Sequence, residues 1–244
     1  MPRKYSKKPL RLTKSRKYSE KFFFSVEGET EVHYLKWLQK AINTSPNASQ
    51  TVIFDVKIDD PVGRVKGMQV TSATRIFHLC DYESSSEEHQ KKFLHQIDAM
   101  RQAEKLGKTV RYNLCYCNFS FELWILLHAI DAKKCLSNRS QYLTEINQAF
   151  GENYKNLAEF KNGKNLSRFF EKLSIQDVIE AVKRAEDITK FNETNGYQLL
   201  THKKSNYYLK KCESRALKLK KILKFLYFQL LLEGFYVILD NLMR

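Results

Sequence analysis

The chain has 244 residues, 43% of them hydrophobic and 28% charged, with a formal net charge of +15. That length and apolar content suit one sizeable core with extensions. Five cysteines, Cys80, Cys115, Cys117, Cys135 and Cys212, are odd in number and fall mostly within apolar elements, which argues for reduced thiols and against a disulfide framework.

The first twenty residues are basic and polar with no apolar stretch of the kind a secretory signal needs, so a cytoplasmic location is expected. Cys115-Tyr116-Cys117 lacks the two-residue spacer and second pair of a zinc site. The charge is concentrated at the two ends. Residues 1–21 carry nine Lys or Arg and one Glu, as do residues 203–224, while the remainder nets −1. Two basic flanks on a near-neutral core imply a polyanionic partner, because clustered cations release counterions as they neutralise phosphates. Nucleic acid leads, a phospholipid surface is a weaker alternative, and compositional bias is the competing account of the N-terminal arm.

Residues 1–20, with Pro2 and Pro9 and no apolar periodicity, are expected to form a flexible basic arm. Phe22-Phe23-Phe24-Ser25-Val26 followed by Glu27-Gly28 is the pattern of a buried parallel strand and its turn. Tyr34, Leu35, Leu38 and Ile42 then share one face of a helix for which Thr30 is the expected N-cap. Ligands of open parallel sheets gather beyond the carboxyl ends of the strands, which places Glu27 at a functional rim and Glu31 one helical turn further on. The helix dipole alone also favours Glu29 and Glu31 in a first turn.

A second strand is expected over 51–58, ending at Asp59-Asp60-Pro61, with an irregular loop through Gly63 and Gly67 that carries Arg64 and Lys66 to the same neighbourhood. A third strand, 75–80, ends at Asp81-Tyr82-Glu83. Ser84 to Ser86 with Glu87 and Glu88 read as the start of a helix that buries Phe93, Leu94, Ile97 and Met100 and closes near Gly107. A fourth strand follows over 109–117. This alternation implies a parallel α/β sheet.

The run Asn118-Phe119-Ser120-Phe121-Glu122-Leu123-Trp124-Ile125-Leu126-Leu127-His128 predicts a very apolar helix capped by Ser120, with Glu122 as the single acid of its first turn. Helices are expected around 141–150, 166–173 and 175–192, with Lys155, Lys161 and Lys164 in the connecting loops. Residues 222–242 are strongly apolar, but Lys224 and Glu233 interrupt them, so a packed amphipathic helix is expected rather than a membrane span. The expected organisation is a basic arm over 1–20, an α/β core over 21–130, a helical region with a basic patch over 131–221, and an apolar helix over 222–244. Whether that last helix pairs with another subunit stays open.

Glu27, Glu31, Asp81 and Glu83 are thereby placed at the ends of two neighbouring strands. Four acids at one rim repel each other unless a cation joins them, and hard oxygen donors suit Mg²⁺ or Mn²⁺ in phosphodiester chemistry. Simple capping of the following helices is the structural alternative. His78, His95 and His128 are further acid–base candidates, although a lone histidine on an apolar element is more often a packed one. Walker A, HExxH, GxSxG and dinucleotide-binding glycine patterns do not occur.

These residues resemble a known family. Glu27-Gly28 followed by Glu31, with Asp81 and Glu83 two apart after a later strand, is similar to the Toprim domain of topoisomerases, bacterial primases and OLD-type nucleases. More narrowly, Glu27-Gly28-Glu29-Thr30-Glu31 together with the segment from Asn118 to His128 resembles the RloB/AbiLii family of bacterial defence proteins, over roughly residues 20–220. The resemblance implies a Toprim-like parallel sheet flanked by helices with a helical C-terminal region. It also implies divalent metal held by Glu27, Glu31, Asp81 and Glu83, with Glu122 as a further ligand or a structural anchor, and Glu27, Asp81 and Glu83 as the catalytic set. Two departures stand out: Glu83 replaces the usual second aspartate, and Phe119 replaces a proline. The expected function is a Mg²⁺- or Mn²⁺-dependent nuclease of antiphage defence, with RNA or tRNA ahead of DNA. The alternative is a degenerate module that binds nucleic acid or docks on a partner such as an ATPase. Arg64, Lys66, Lys155, Lys164, Lys203, Lys204, Lys210 and Lys211 are the expected nucleic-acid contacts.

Overall fold

The structure, a computed structural model, describes residues 19–195 apart from positions 47, 49–50, 84–85, 118–119 and 133–138. The N-terminal arm, Cys135, Cys212, Lys203, Lys204, Lys210, Lys211 and the 222–244 segment lie outside the described residues.

Four strands, β1 (Ser19–Val26), β2 (Thr51–Ile58), β3 (Thr74–Asp81) and β4 (Val110–Cys117), form one all-parallel sheet in the order β2-β1-β3-β4. The α/β expectation is met, and the arrangement is consistent with a Toprim-like fold. The apolar run of β1 explains its place inside the sheet. Phe22, Phe24 and Val26 are buried on one face, and Phe23 packs with the cluster on the other. The edge strand β2 is blunted by side chains of the helix α1 (Glu29–Thr44). Asn43 accepts from Val52 N–H at 2.7 Å and donates to its carbonyl at 2.9 Å, and Gln39 accepts from Phe54 N–H at 2.5 Å.

The second face carries α2 (Pro61–Lys66) and α3 (Glu87–Glu104), whose Val65, Phe93, Ile97 and Met100 pack with Ile76, Tyr112 and Tyr116. The first face carries α1, α4 (Glu122–Leu127), α5 (Arg139–Phe150), α7 (Gly163–Phe170) and α8 (Ile175–Thr194), and α6 (Leu157–Phe160) contributes Phe160 to the same cluster. Tyr34 stands at the centre of this layer, with its ring edge-on to Phe121, Trp124 and Phe170.

Several local expectations are corrected. Thr30 is buried and does not cap α1; Gly28 occupies the N-cap position and supplies no side-chain bond. The stretch expected to be an irregular loop begins with α2, because Asp60 caps Val62 N–H and Gly63 N–H at 2.9 and 3.1 Å and Pro61 sits in the first turn, where its missing N–H costs nothing. Leu94 is exposed, outside the apolar face set by Phe93, Ile97 and Met100. Helix α4 is shorter than its apolar run and starts after Phe121 rather than from a Ser120 cap. Lys164 belongs to the first turn of α7, not to a loop.

Candidate metal and nucleic-acid site

The register Val26↔Leu79 brings the ends of β1 and β3 side by side, so Glu27 and Asp81 emerge next to each other. Asp81 donates its backbone N–H to Glu27 Oε2 at 3.1 Å, and Gln96 of α3 reaches Glu27 Oε1 at 3.4 Å. Asp81 continues the parity of Phe77 and Leu79, which face the α1–α4 layer, whereas Tyr82 turns to the other face and packs edge-on against Phe93. Glu31 and Glu122, in the first turns of α1 and α4, lie close enough to the rim to interact electrostatically with Asp81. Both are buried, Glu122 completely. Gly28 has a function in this packing, since a Cβ there would stand 3.1 Å from Glu31 Oε2.

Electrostatics join these acids into one cluster. Burial pushes the Glu31 carboxyl up to about 7, with the Glu122 and Glu27 charges adding to the effect. Burial also drives Asp81 well above the usual carboxylate range, helped by Glu31, Glu122 and Glu27. Glu27 is raised, chiefly by burial. Burial alone would raise Glu122 as well, but the Lys161 ammonium 2.7 Å from its Oε1 outweighs that and holds it below the normal value. Asp81 Oδ1 is buried with no hydrogen-bond partner.

Glu83 joins this cluster only at its margin. Strand β3 ends at Asp81, the backbone at Glu83 turns through φ 52°, and its carboxylate meets Lys92, Arg139 and His89. Arg139 bridges the two acids, at 3.3 Å from Asp81 Oδ2 and from Glu83 Oε1. Arg139, Lys92 and Gln96 carry no motif that marks them in the sequence; only the approach of α3 and α5 to the strand ends reveals them.

Among the described residues no three His, Cys, Asp or Glu side chains are already closed to metal-ligand spacing. The donors nonetheless suit a hard divalent cation. They are carboxylates, they are desolvated, they repel one another, and one buried oxygen of Asp81 lacks a partner. His78 and His128 are packed into the core. His78 bonds Ser25 Oγ at 2.8 Å, and His128 bonds Tyr34 Oη at 3.1 Å and the Trp124 carbonyl at 2.9 Å. Burial lowers both imidazoles to about 4. His95 is exposed on α3.

Of the expected nucleic-acid contacts within the described residues, Lys66, Lys155 and Lys164 are exposed. Arg64 is not. It is 2% exposed and donates to the Asp55 carboxylate at 2.6 Å and the Asp55 carbonyl at 3.0 Å, so its guanidinium holds α2 to β2 rather than facing a phosphate.

A family model described as RloB-like protein matches residues 22–215. The chain belongs to the RloB-like family. The match starts within β1 and takes in every carboxylate of the cluster, so the acids and the helices that bury them are parts of one RloB-like unit. No curated protein matches the chain. Among the described residues of this RloB-like chain, no helix is long and apolar enough to cross a membrane.

Proposed function

We propose that this RloB-like chain is a divalent-cation-dependent nuclease that acts in bacterial defence against phage, with RNA or tRNA preferred over DNA. The observation that carries the reading is the convergence of Glu27, Glu31, Asp81 and Glu122 beyond the carboxyl ends of the adjacent parallel strands β1, β3 and β4, with Asp81 Oδ1 buried and unpaired. Glu27, Asp81 and Glu83 would hold Mg²⁺ or Mn²⁺, with Glu31 and Glu122 behind them. Such an ion supplies a Lewis acid that neutralises charge on phosphate oxygens.

The chain's own groups do the positioning. The Asp81 N–H and Gln96 orient Glu27, Lys161 keeps Glu122 ionised, and Lys92 and Arg139 place positive charge at the margin of the cluster, where a phosphodiester would approach. The net charge of +15 draws a polyanion from a distance. A second reading, a binding or partner-docking module without catalysis, is favoured by the Lys92 and Arg139 cations and the His89 imidazole that already occupy Glu83.

The deciding experiment offers labelled tRNA, single-stranded RNA, and single- and double-stranded DNA to the full-length protein with Mg²⁺, Mn²⁺ or EDTA, beside Glu27→Gln. Cleavage that needs metal and is lost in the variant is expected. Equal cleavage by Glu27→Gln would sink the assignment, and tight binding without cutting would select the binding module.

A further inference from the structure

The carboxylate of Glu83 lies in a nest of two cations and an imidazole. Its Oε1 is 2.9 Å from Lys92 Nζ and 3.3 Å from Arg139 Nη2, and its Oε2 is 2.8 Å from His89 Nε2. His89 and Lys92 are three residues apart on α3 and so share a helix face, while Arg139 opens α5. The backbone is bent to permit this. Glu83 has φ 52°, in the left-handed region that is sterically disfavoured for a residue with a Cβ. The Lys92 and Arg139 side chains are 53% and 41% exposed, so the nest opens to solvent.

We propose that His89, Lys92 and Arg139 form a subsite for one backbone phosphate of a nucleic acid, and that Glu83 fills it as an internal stand-in until a strand displaces it. A phosphodiester matches what the nest already holds: a single negative charge shared between two oxygens, to which a guanidinium and an ammonium donate. Arg139 also contacts Asp81, so a phosphate seated here lies beside the carboxylate cluster. The displaced Glu83 carboxylate is released next to Asp81 and Glu27, so substrate entry and completion of the acidic set become one movement. This rests on nucleic acid being the ligand under the proposed function, but not on cleavage.

The test is fluorescence anisotropy of a labelled single-stranded RNA with the full-length protein in EDTA, at several salt concentrations. Lys92→Gln and Arg139→Gln are each expected to weaken binding about tenfold and to lower the salt-dependence slope by about one phosphate contact. Lys91→Gln, which removes the same charge one residue outside the nest, is expected to stay within about twofold of the native protein. Glu83→Gln vacates the nest without removing a cation and is expected to bind about fivefold tighter. The proposal is overturned if Lys92→Gln binds like Lys91→Gln, or if Glu83→Gln binds no tighter than the native protein. If Arg139→Gln does not fold by circular dichroism, Lys92→Gln and Glu83→Gln decide by the same criteria. Because EDTA removes cleavage from the measurement, a failed nuclease assay and a failed phosphate subsite give different results.

Discussion

The backbone N–H of Asp81 donates to Glu27 Oε2 at 3.1 Å, joining residues 54 positions apart at the ends of β1 and β3. Strand pairing therefore does more than close the sheet. It uses a main-chain donor to aim one acid of the rim while the neighbouring side chain supplies another, and both carboxylates are drawn out of water together. Desolvated like charges are costly unless they are protonated or paired, and this cost gives the cluster measurable consequences.

The Glu31 carboxyl is raised to about 7, so the folded chain holds its proton more tightly than the unfolded chain does. Its contribution therefore weakens the fold progressively as pH rises from about 4.5 to about 7, by on the order of 3 kcal/mol. His78 and His128, lowered to about 4, act in the opposite sense and cost stability as pH falls below about 6.5. Glu31→Gln isolates the first effect. Urea denaturation in EDTA is expected to show the variant gaining on the native protein between pH 5 and pH 8; a difference independent of pH would refute the charge assignment.

Lys161 pairs with a glutamate that has no solvent exposure. Removing one partner of such a pair leaves an uncompensated buried charge, so Lys161→Met is expected to cost about 3–5 kcal/mol near neutral pH. The double variant Lys161→Met/Glu122→Gln should recover most of that loss. Thermal melting of the set checks both points, and a single variant as stable as the native protein would show that Glu122 is not ionised there.

Arg64 provides a contrast between structural and ligand-facing cations. Arg64→Ala removes a buried partner of Asp55 and is expected to lose about 3 kcal/mol of stability while RNA affinity in the folded protein stays unchanged. Lys66→Ala, two residues along and exposed, should leave stability within about 0.5 kcal/mol. Chemical denaturation paired with anisotropy separates the two, and a fall in RNA affinity in folded Arg64→Ala would return Arg64 to the nucleic-acid contacts.

Much of this was legible in the chain. The apolar run ending in Glu27-Gly28, the β2 segment and the alternation of strands with helices read directly as a parallel α/β core, because a strand buried on both faces must be apolar along its length and must stop where polarity returns. Asp60-Pro61 carried a capping signal that would have located α2. Leu94 was misplaced because its neighbours Phe93, Ile97 and Met100 define the stripe and leave it just outside. The acids of the rim were also legible, since strand ends and first helical turns are local features.

Which cation meets which acid was not. Arg139 reaches Asp81 over 58 positions, and Lys161 reaches Glu122 from the C-terminal end of α6. Arg64, basic and near the strand ends, looked like a phosphate contact until burial assigned it to Asp55. The sequence by itself determined the sheet, its polarity and the set of carboxylates at its rim, because those follow from periodicity and chain direction within a few residues. Only the tertiary structure decided which charges are desolvated, which are neutralised and which still face solvent, because pairing and burial depend on how α3, α5 and α6 pack and on no property of the residues taken one at a time.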